Sequence, residues 1–156
     1  MPKALKITLV IVAVLTLLVA LGLLKEHFDD IEDYNDALKD FNEICEYVKE
    51  NEEHFITISE YEMSKLTEET QYILLETQGE YQESRDIIFY RFYVATAYVN
   101  TITGKGIVQY GAQANPCYHI SVIYSDDISV GITNDSTTHI ISDDIRVSLL
   151  YDPKYE

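Results

Sequence analysis

The sequence predicts an α+β fold: an N-terminal transmembrane helix, a long amphipathic helix and an antiparallel β-sheet meander of about five to seven strands. Three observations predict it. Residues 7–24 form an uncharged apolar run, residues 28–48 carry one apolar stripe with helical spacing, and residues 55–156 are rich in β-branched and aromatic residues between short turns. The predicted organisation is therefore a cytoplasmic N-terminus (1–6), an anchor (7–24), an acidic amphipathic helix (25–54) and a sheet (55–156) packed on that helix.

The apolar run from residue 7 to residue 24 is long enough to cross a membrane. Its 18 residues contain no charged side chain, and a helix rising about 1.5 Å per residue would cover roughly 27 Å of a hydrocarbon core about 30 Å thick. Lys3 and Lys6 precede the run and several acids follow it. The positive-inside rule then puts residues 25–156 outside the cell as one extracytoplasmic domain. The alternative is a secreted protein whose signal peptide is cleaved after Gly22.

Apolar residues between positions 28 and 48 recur every three or four positions, which places them on one face of a helix. They are Phe28, Ile31, Tyr34, Leu38, Phe41, Cys45 and Val48. The main interpretation is that this stripe packs on the protein's own sheet, and the alternative is a coiled-coil seam with another chain. No Pro or Gly interrupts residues 23–54. The anchor and the acidic helix are therefore expected to form one continuous rod.

The rest of the chain contains segments with the composition of β-strands. They are residues 54–61, 70–77, 86–100, 107–110, 118–124, 128–133, 138–142 and 145–151. Segment 70–77 has a short helix as its alternative. The last four segments are joined by connections of two to four residues, which predicts that they form an up-and-down meander.

The charge of the chain excludes two classes of partner. It has 27 acidic and 11 basic side chains, for a net charge of −16. All of the acids and 8 of the bases lie after Lys25, so residues 26–156 carry −19. Nucleic-acid binding needs Lys and Arg to neutralise phosphates, and an anionic lipid surface would repel this body. The sequence thus predicts no nucleic-acid partner, contact with the membrane through residues 7–24, and a protein partner.

Two acidic turns 17 residues apart share the pattern Ser-Asp-Asp-Ile-x-Val. Asp side chains bond backbone amides in such turns, and two equivalent turns at one end of a meander explain the repeat. The alternative is a divalent cation held by Asp126, Asp127, Asp143 and Asp144, because calcium takes roughly six to eight oxygen ligands. The chain contains no EF-hand loop pattern. These four aspartates are therefore weak metal candidates.

Cys45 and Cys117 are predicted to form a disulfide, since paired cysteines outside the cytoplasm suggest one and Cys45 belongs to the stripe that faces the sheet. The alternative is two small buried hydrophobic residues. Cys117 and His119 also alternate along one predicted strand, which would put a thiol and an imidazole on one face. No other residue supports that pair, and no nucleophile-elbow, phosphate-loop or dinucleotide motif occurs. The sequence therefore predicts no catalytic residue and no cofactor.

A cluster of tyrosines, Tyr90, Tyr93 and Tyr98, lies within one segment. Tyrosine is frequent at protein interfaces and is equally an ordinary strand residue. An aromatic binding face and a simple strand are therefore both open interpretations of this cluster.

The order of the predicted elements is similar to the outline of type IV pilins, in which an N-terminal membrane helix runs into an amphipathic helix and an antiparallel sheet follows. Those proteins carry a Gly-Phe-x-x-x-Glu processing site before the apolar segment. Here residues 1–6 read Met-Pro-Lys-Ala-Leu-Lys, and no Glu lies within residues 7–24. The chain is therefore not assigned to that family.

The function expected from the sequence is a single-pass anchored extracytoplasmic domain that is not an enzyme. It would act as a protein-binding or envelope-associated structural module. The alternatives are a secreted or anchored hydrolase whose active site is not recognised, and a cation-dependent adhesive domain.

Overall fold

The structure confirms the α+β class. The computed structural model describes residues 3–75, 81–126 and 137–152, with side chains from residue 11 onward. Within these ranges the elements in chain order are α1 Lys3–Glu50, α2 Glu52–Met63, β1 Tyr72–Leu74, α3 Gln82–Phe89, β2 Val94–Val99, β3 Gly106–Asn115, β4 Tyr118–Tyr124, β5 Thr137–Ile140 and β6 Ile145–Tyr151. The chain divides into two compact units, Met1–Asn35 and Asp36–Glu156.

Helix α1 is a single helix of 48 residues, so the predicted continuous rod is confirmed. Every side chain from residue 11 to residue 36 is exposed. By length and composition the helix is apolar enough near its N-terminus to cross a membrane. Burial begins further along, where α1 contributes Ala37, Phe41, Ile44, Cys45 and Val48 to the core. Only the second half of the predicted stripe is therefore covered.

The strands form one sheet in the order β1-β2-β3-β4-β6-β5, and every neighbouring pair is antiparallel. Strands β4 and β6 have the predicted bounds. Because β6 lies between β4 and β5, the last strands do not follow chain order as the predicted meander requires. All side chains from Ile145 to Leu149 are buried, which suits a central strand, whereas the short, largely exposed β5 suits an edge. The predicted strand 128–133 lies outside the described residues.

The core lies between one face of this sheet and the helices. Its centre contains an aromatic cluster, which consists of Phe55 from α2, Phe92, and Tyr110 from β3. The Phe55 ring packs edge-on against the other two, with ring centres 5.7 Å apart for Phe92 and 5.1 Å apart for Tyr110. The Tyr110 hydroxyl shares a hydrogen bond of 2.8 Å with Ser59. Burial raises the pKa of Tyr110 well above its ordinary value, so this phenol stays neutral and the hydrogen bond ties α2 to the sheet.

Two of the predicted strands are helical, so those predictions are wrong. Residues 54–61 belong to α2, whose buried side chains Phe55, Ile58, Ser59 and Glu62 follow the spacing of one helical face. The first part of segment 86–100 belongs to α3, and only its second part forms β2. In both segments β-branched and aromatic residues favoured a strand locally, but burial of one helical face, of α2 against the sheet and of α3 against α2, outweighs that preference.

Gly111 marks a close approach of β3 to its neighbour β2. A Cβ at this position would lie 2.8 Å from Cγ1 of Val94, and β-branched side chains have little freedom to move away. The ring of Tyr93 lies beside the same position, and the Tyr93 N–H donates a 3.1 Å hydrogen bond to the Gly111 carbonyl. The chain entering β2 is thereby fixed against β3.

Candidate functional site

A groove of about 310 Å³ opens between α1, the connection from α3 to β2, and strands β3 and β4. Its lining residues are Asp40, Glu43, Ile44, Tyr90, Arg91, Ala112, Gln113 and Ile120. All of them belong to the compact unit Asp36–Glu156. Helix α1 thus supplies acids on one side, the connection supplies an aromatic ring and a guanidinium on the other, and the sheet forms the floor.

The connection from α3 to β2 turns one aromatic side chain into the core and another out of it. Phe92 is 4% exposed and packs in the aromatic cluster, whereas Tyr90 is 84% exposed. Tyr90 follows the last residue of α3, and its N–H donates to the Asp86 carbonyl at 3.1 Å. Because Phe92 is fixed by the core, Tyr90 and Arg91 are presented at the groove by a constrained backbone.

Arg91 also lines a second depression of about 420 Å³ beside the groove, together with Asn42, Glu43, Glu46, Tyr47 and Glu50. Its guanidinium carbon lies 5.3 Å from the centre of the Tyr47 ring, within the range of a cation–π contact. The Tyr47 hydroxyl in turn donates to the Ile87 carbonyl on α3. Burial raises the pKa of Tyr47, and the positive charge of Arg91 opposes that rise. Tyr47 therefore forms a fixed platform for Arg91.

Charged side chains of both signs lie around the groove. Among the residues that the structure describes, no ion pair joins Arg91 to an acid. Asp40, Glu43, Glu46 and Glu50 nevertheless lie on the adjacent face of α1. A ligand can thus meet a guanidinium, carboxylates and an exposed tyrosine within one surface, which is the side-chain chemistry of protein interfaces.

The tyrosine cluster of the sequence separates in the structure. Tyr90 lines the groove, Tyr93 packs beside Gly111 and Tyr98 lies half-buried on β2, where its hydroxyl donates to Gln109 Oε1 at 3.3 Å. Sequence reasoning therefore identified one groove residue, Tyr90, as a binding candidate and missed Arg91. Arg91 carried no sequence signal, because its position beside α1 depends on how α3 and β2 join.

The two acidic turns lie at the same end of neighbouring strands. The Ser125 N–H donates to the Asp144 carbonyl at 3.0 Å, and Tyr124 pairs with Ile145. Lys105 lies 3.5 Å from the carboxylate of Asp126. The described residues contain no group of three or more His, Cys, Asp or Glu side chains that could hold a metal ion.

Asp127 lies outside the described residues, whereas Asp143 and Asp144 precede β6. The cation site of Asp126, Asp127, Asp143 and Asp144 therefore stays a prediction.

The predicted disulfide is not formed, since both Cys45 and Cys117 are thiols in the structure. Cys45 is buried in the core as expected, and burial raises its pKa to about 11, with the charge of Glu46 adding to the rise. Cys117, however, lies in the turn between β3 and β4, where its N–H donates to the Asn115 side chain at 3.0 Å. The prediction failed because it placed Cys117 on a core-facing strand.

The position of Cys117 also bears on the suggested thiol–imidazole pair. Cys117 lies in the turn that precedes β4, and His119 lies within β4. His119 lies 3.8 Å from the carboxylate of Asp152.

A buried ion pair between α2 and α3 was not predicted. Glu62 and Arg85 are in contact, and their side chains are 1% and 3% exposed. Lys65 adds a hydrogen bond of 3.0 Å to the second carboxylate oxygen of Glu62. Burial lowers the pKa of Arg85, and two tyrosines, Tyr61 and Tyr110, oppose that shift. Neither Glu62 nor Arg85 lines the groove, so we assign this pair to the stability of the fold.

The comparisons with known proteins identify no relative. No protein-family model, no curated protein and no solved structure matches this chain. Two features of the chain itself bear on its function, the groove beside α1 and the apolar N-terminal part of the same helix.

Proposed function

We propose that this chain is a single-pass, membrane-anchored extracytoplasmic domain that binds a protein partner and is not an enzyme. The anchor is the uncharged segment 7–24, which belongs to a helix long and apolar enough to cross a membrane. Lys3 and Lys6 before the segment, and acids after it, favour a cytoplasmic N-terminus and an external body.

The observation that carries the binding proposal is the exposure of Tyr90 beside Arg91. The Tyr90 ring is 84% exposed, although Phe92, two residues further along, is 4% exposed and packs in the core. Tyr and Arg are the residue types over-represented among the energetically dominant residues of interfaces, and rigid presentation reduces the entropy lost on binding. We therefore assign the partner surface to the groove that Tyr90, Arg91, Asp40 and Glu43 line.

The binding proposal is tested with the full-length chain in its native membrane. Proximity labelling, followed by solubilisation in a gentle detergent, should recover a specific partner with the wild-type protein. The double variant Tyr90→Ala, Arg91→Ala should weaken recovery about tenfold or more, because truncation of such residues commonly costs about 2 kcal/mol or more. The matched control is Tyr93→Ala, since Tyr93 is 63% exposed but does not line the groove.

Two results would contradict the binding proposal. One is that no specific partner is recovered with the wild-type chain. The other is that the Tyr90→Ala, Arg91→Ala variant and the Tyr93→Ala variant both retain the partner equally.

The anchor is tested separately by the intact mass of the membrane-extracted protein. A mass corresponding to Leu23–Glu156 would mean a cleaved signal peptide and would remove the anchor from the proposal.

A further inference from the structure

Strand β1 is the last strand on its side of the sheet among the residues that the structure describes. Ile73 packs against the core, and Leu75, directly after the strand, is 5% exposed. Tyr72 and Leu74 are instead 62% and 59% exposed. The core side of β1 is thus covered, and its other side presents two large apolar side chains at the edge of the sheet.

The hydrogen bonds between β1 and β2 determine which backbone groups of β1 point away from the sheet. The Leu75 N–H donates to a carbonyl of β2, and the Gln71 carbonyl accepts from an N–H of β2, both at 3.0 Å. Every second residue of an antiparallel strand bonds to the same neighbour, so Gln71, Ile73 and Leu75 face β2. The N–H and C=O groups of Tyr72 and Leu74 therefore point outward, where a further strand would bind them.

Strand β1 lacks the features with which proteins commonly protect an exposed edge, such as Pro, Lys or a β-bulge. Residues 71–75 read Gln-Tyr-Ile-Leu-Leu, and β1 pairs with β2 in regular register. The strand at the opposite edge, β5, is more polar, with the sequence Thr-Thr-His-Ile. Strand β1 thus combines outward backbone groups with the apolar side chains that favour strand pairing.

The chain around β1 is uniformly acidic. Residues 66–84 contain five acids, two before β1 and three after it, and no Lys, Arg or His. The bases that border this segment, Lys65 and Arg85, both pair with Glu62. Lys105, in the hairpin after β2, pairs with an acid that follows β4. A strand added beside β1 would therefore meet negative charge at both of its ends.

This charge selects one occupant for the edge. A second copy of the chain would bring its own acidic segment against the same acids, and an anionic lipid surface would likewise be repelled. An extended segment with β-branched side chains, and with Lys or Arg at its ends, matches both the outward backbone groups and the carboxylates.

We propose that the outer edge of β1 accepts an extended, basic-flanked strand of another protein, which adds to the sheet beside Tyr72 and Leu74. No residue of β1 lines the groove. The proposal therefore adds a second interaction surface and depends neither on the groove nor on the anchor.

The test uses the full-length chain in a non-ionic detergent and a synthetic probe peptide. The probe is dye-labelled Lys-Lys-Val-Thr-Val-Thr-Val-Lys-Lys, and its binding is followed by fluorescence anisotropy. One reference peptide has Glu in place of every Lys, and the other has N-methylated Val and Thr amides. The probe should bind at least about tenfold more tightly than either, because the first is repelled and the second lacks the backbone donors.

Two variants locate the bound probe. Leu74→Pro removes an outward N–H from β1 and should weaken binding about tenfold. The matched control is Ile140→Pro on β5, where the Ile141 N–H donates to the Ile145 carbonyl at 2.9 Å, so that the Ile140 N–H also points outward. It should leave binding within about twofold. In the wild-type chain, the probe should slow hydrogen exchange at the amides of residues 72 and 74.

Several outcomes would overturn the proposal. They are no binding of the probe at about 1 mM, equal binding of the Lys-flanked and Glu-flanked peptides, equal losses in Leu74→Pro and Ile140→Pro, or unchanged exchange at residues 72 and 74. Self-association of the chain that Leu74→Pro abolishes would assign the edge to a second copy instead. The Tyr90→Ala, Arg91→Ala variant should bind the probe as the wild type does, so failure of the groove and failure of the edge are distinguishable.

Discussion

Replacement of Glu62 by leucine should destabilise the fold strongly, because it leaves the guanidinium of Arg85 buried without its carboxylate. The two side chains are 1% and 3% exposed, and removal of one member of a buried ion pair commonly costs about 3–5 kcal/mol. Arg85→Met should cost less, since the remaining carboxylate of Glu62 keeps the ammonium of Lys65 at 3.0 Å, and Lys65 is 39% exposed. The structure thus predicts that Glu62→Leu lowers the free energy of unfolding more than Arg85→Met does.

The double variant Glu62→Leu, Arg85→Met should recover most of the loss. Both substitutes are apolar and fill part of the same volume, and such replacements of whole buried pairs are often neutral. We expect the double variant to lie within about 1 kcal/mol of the wild type. The surface variant Lys105→Met is the control, because its pair with Asp126 is 43% and 59% exposed and should contribute less than about 1 kcal/mol.

The assay is denaturant unfolding of the full-length protein in detergent, followed by tyrosine fluorescence, since the chain has 13 Tyr and no Trp. Comparison of the four proteins gives the coupling free energy between the two side chains. A cost of less than about 1 kcal/mol for Glu62→Leu, or a double variant as unstable as Glu62→Leu alone, would contradict the buried ion pair's predicted role. The first result would mean that water reaches the pair, and the second that the volume and not the charge determines stability.

Three further outcomes are expected. Gly111→Ala should destabilise the fold by about 1–3 kcal/mol in the same unfolding assay, because its Cβ would lie 2.8 Å from a branched side chain, whereas Gly106→Ala meets the flexible end of a methionine and should cost less. Cys117, which is partly exposed, should be alkylated at pH 8 much faster than Cys45, whose burial raises its pKa to about 11, and equal rates would contradict the structure. Burial, aided by nearby acids, raises the pKa of Tyr124 to about 12; its stabilising contribution is therefore present below the ordinary pKa near 10 and is lost as the pH rises from there through 12, so Tyr124→Phe should flatten the loss of stability in that range.

Only part of the candidate groove could be predicted from the sequence. Tyr90 was recognised as a binding candidate because tyrosine is frequent at interfaces. Its neighbour Arg91 was not, because one arginine in an acidic chain is unremarkable until the fold brings it to 5.3 Å from Tyr47. The predicted disulfide failed for a related reason. The helical stripe correctly placed Cys45 in the core, but nothing local showed that Cys117 would lie in a turn.

The class of the fold, and the elements whose pattern is both strong and local, could be predicted from the amino-acid sequence. The uncharged segment 7–24 and the stripe beginning at Phe28 predicted α1, because helical periodicity over many turns has no competing interpretation. Strands β4 and β6 were predicted with correct bounds, since turn residues border each of them. These elements depend on interactions between near neighbours in the chain.

Features that depend on residues distant in sequence follow from tertiary packing and could not be predicted locally. Residues 54–61 and 86–89 have the composition of strands, yet they are helical because α2 and α3 pack against each other and α2 also packs on the sheet. Likewise, β6 lies between β4 and β5 and has five consecutive buried side chains, whereas the largely exposed β5 lies at the edge of the sheet. The free energy of burial depends on the assembled core, so it can outweigh the local preference of a segment for strand or helix. This happens where α3 joins β2, and the same junction places Tyr90 and Arg91 at the groove.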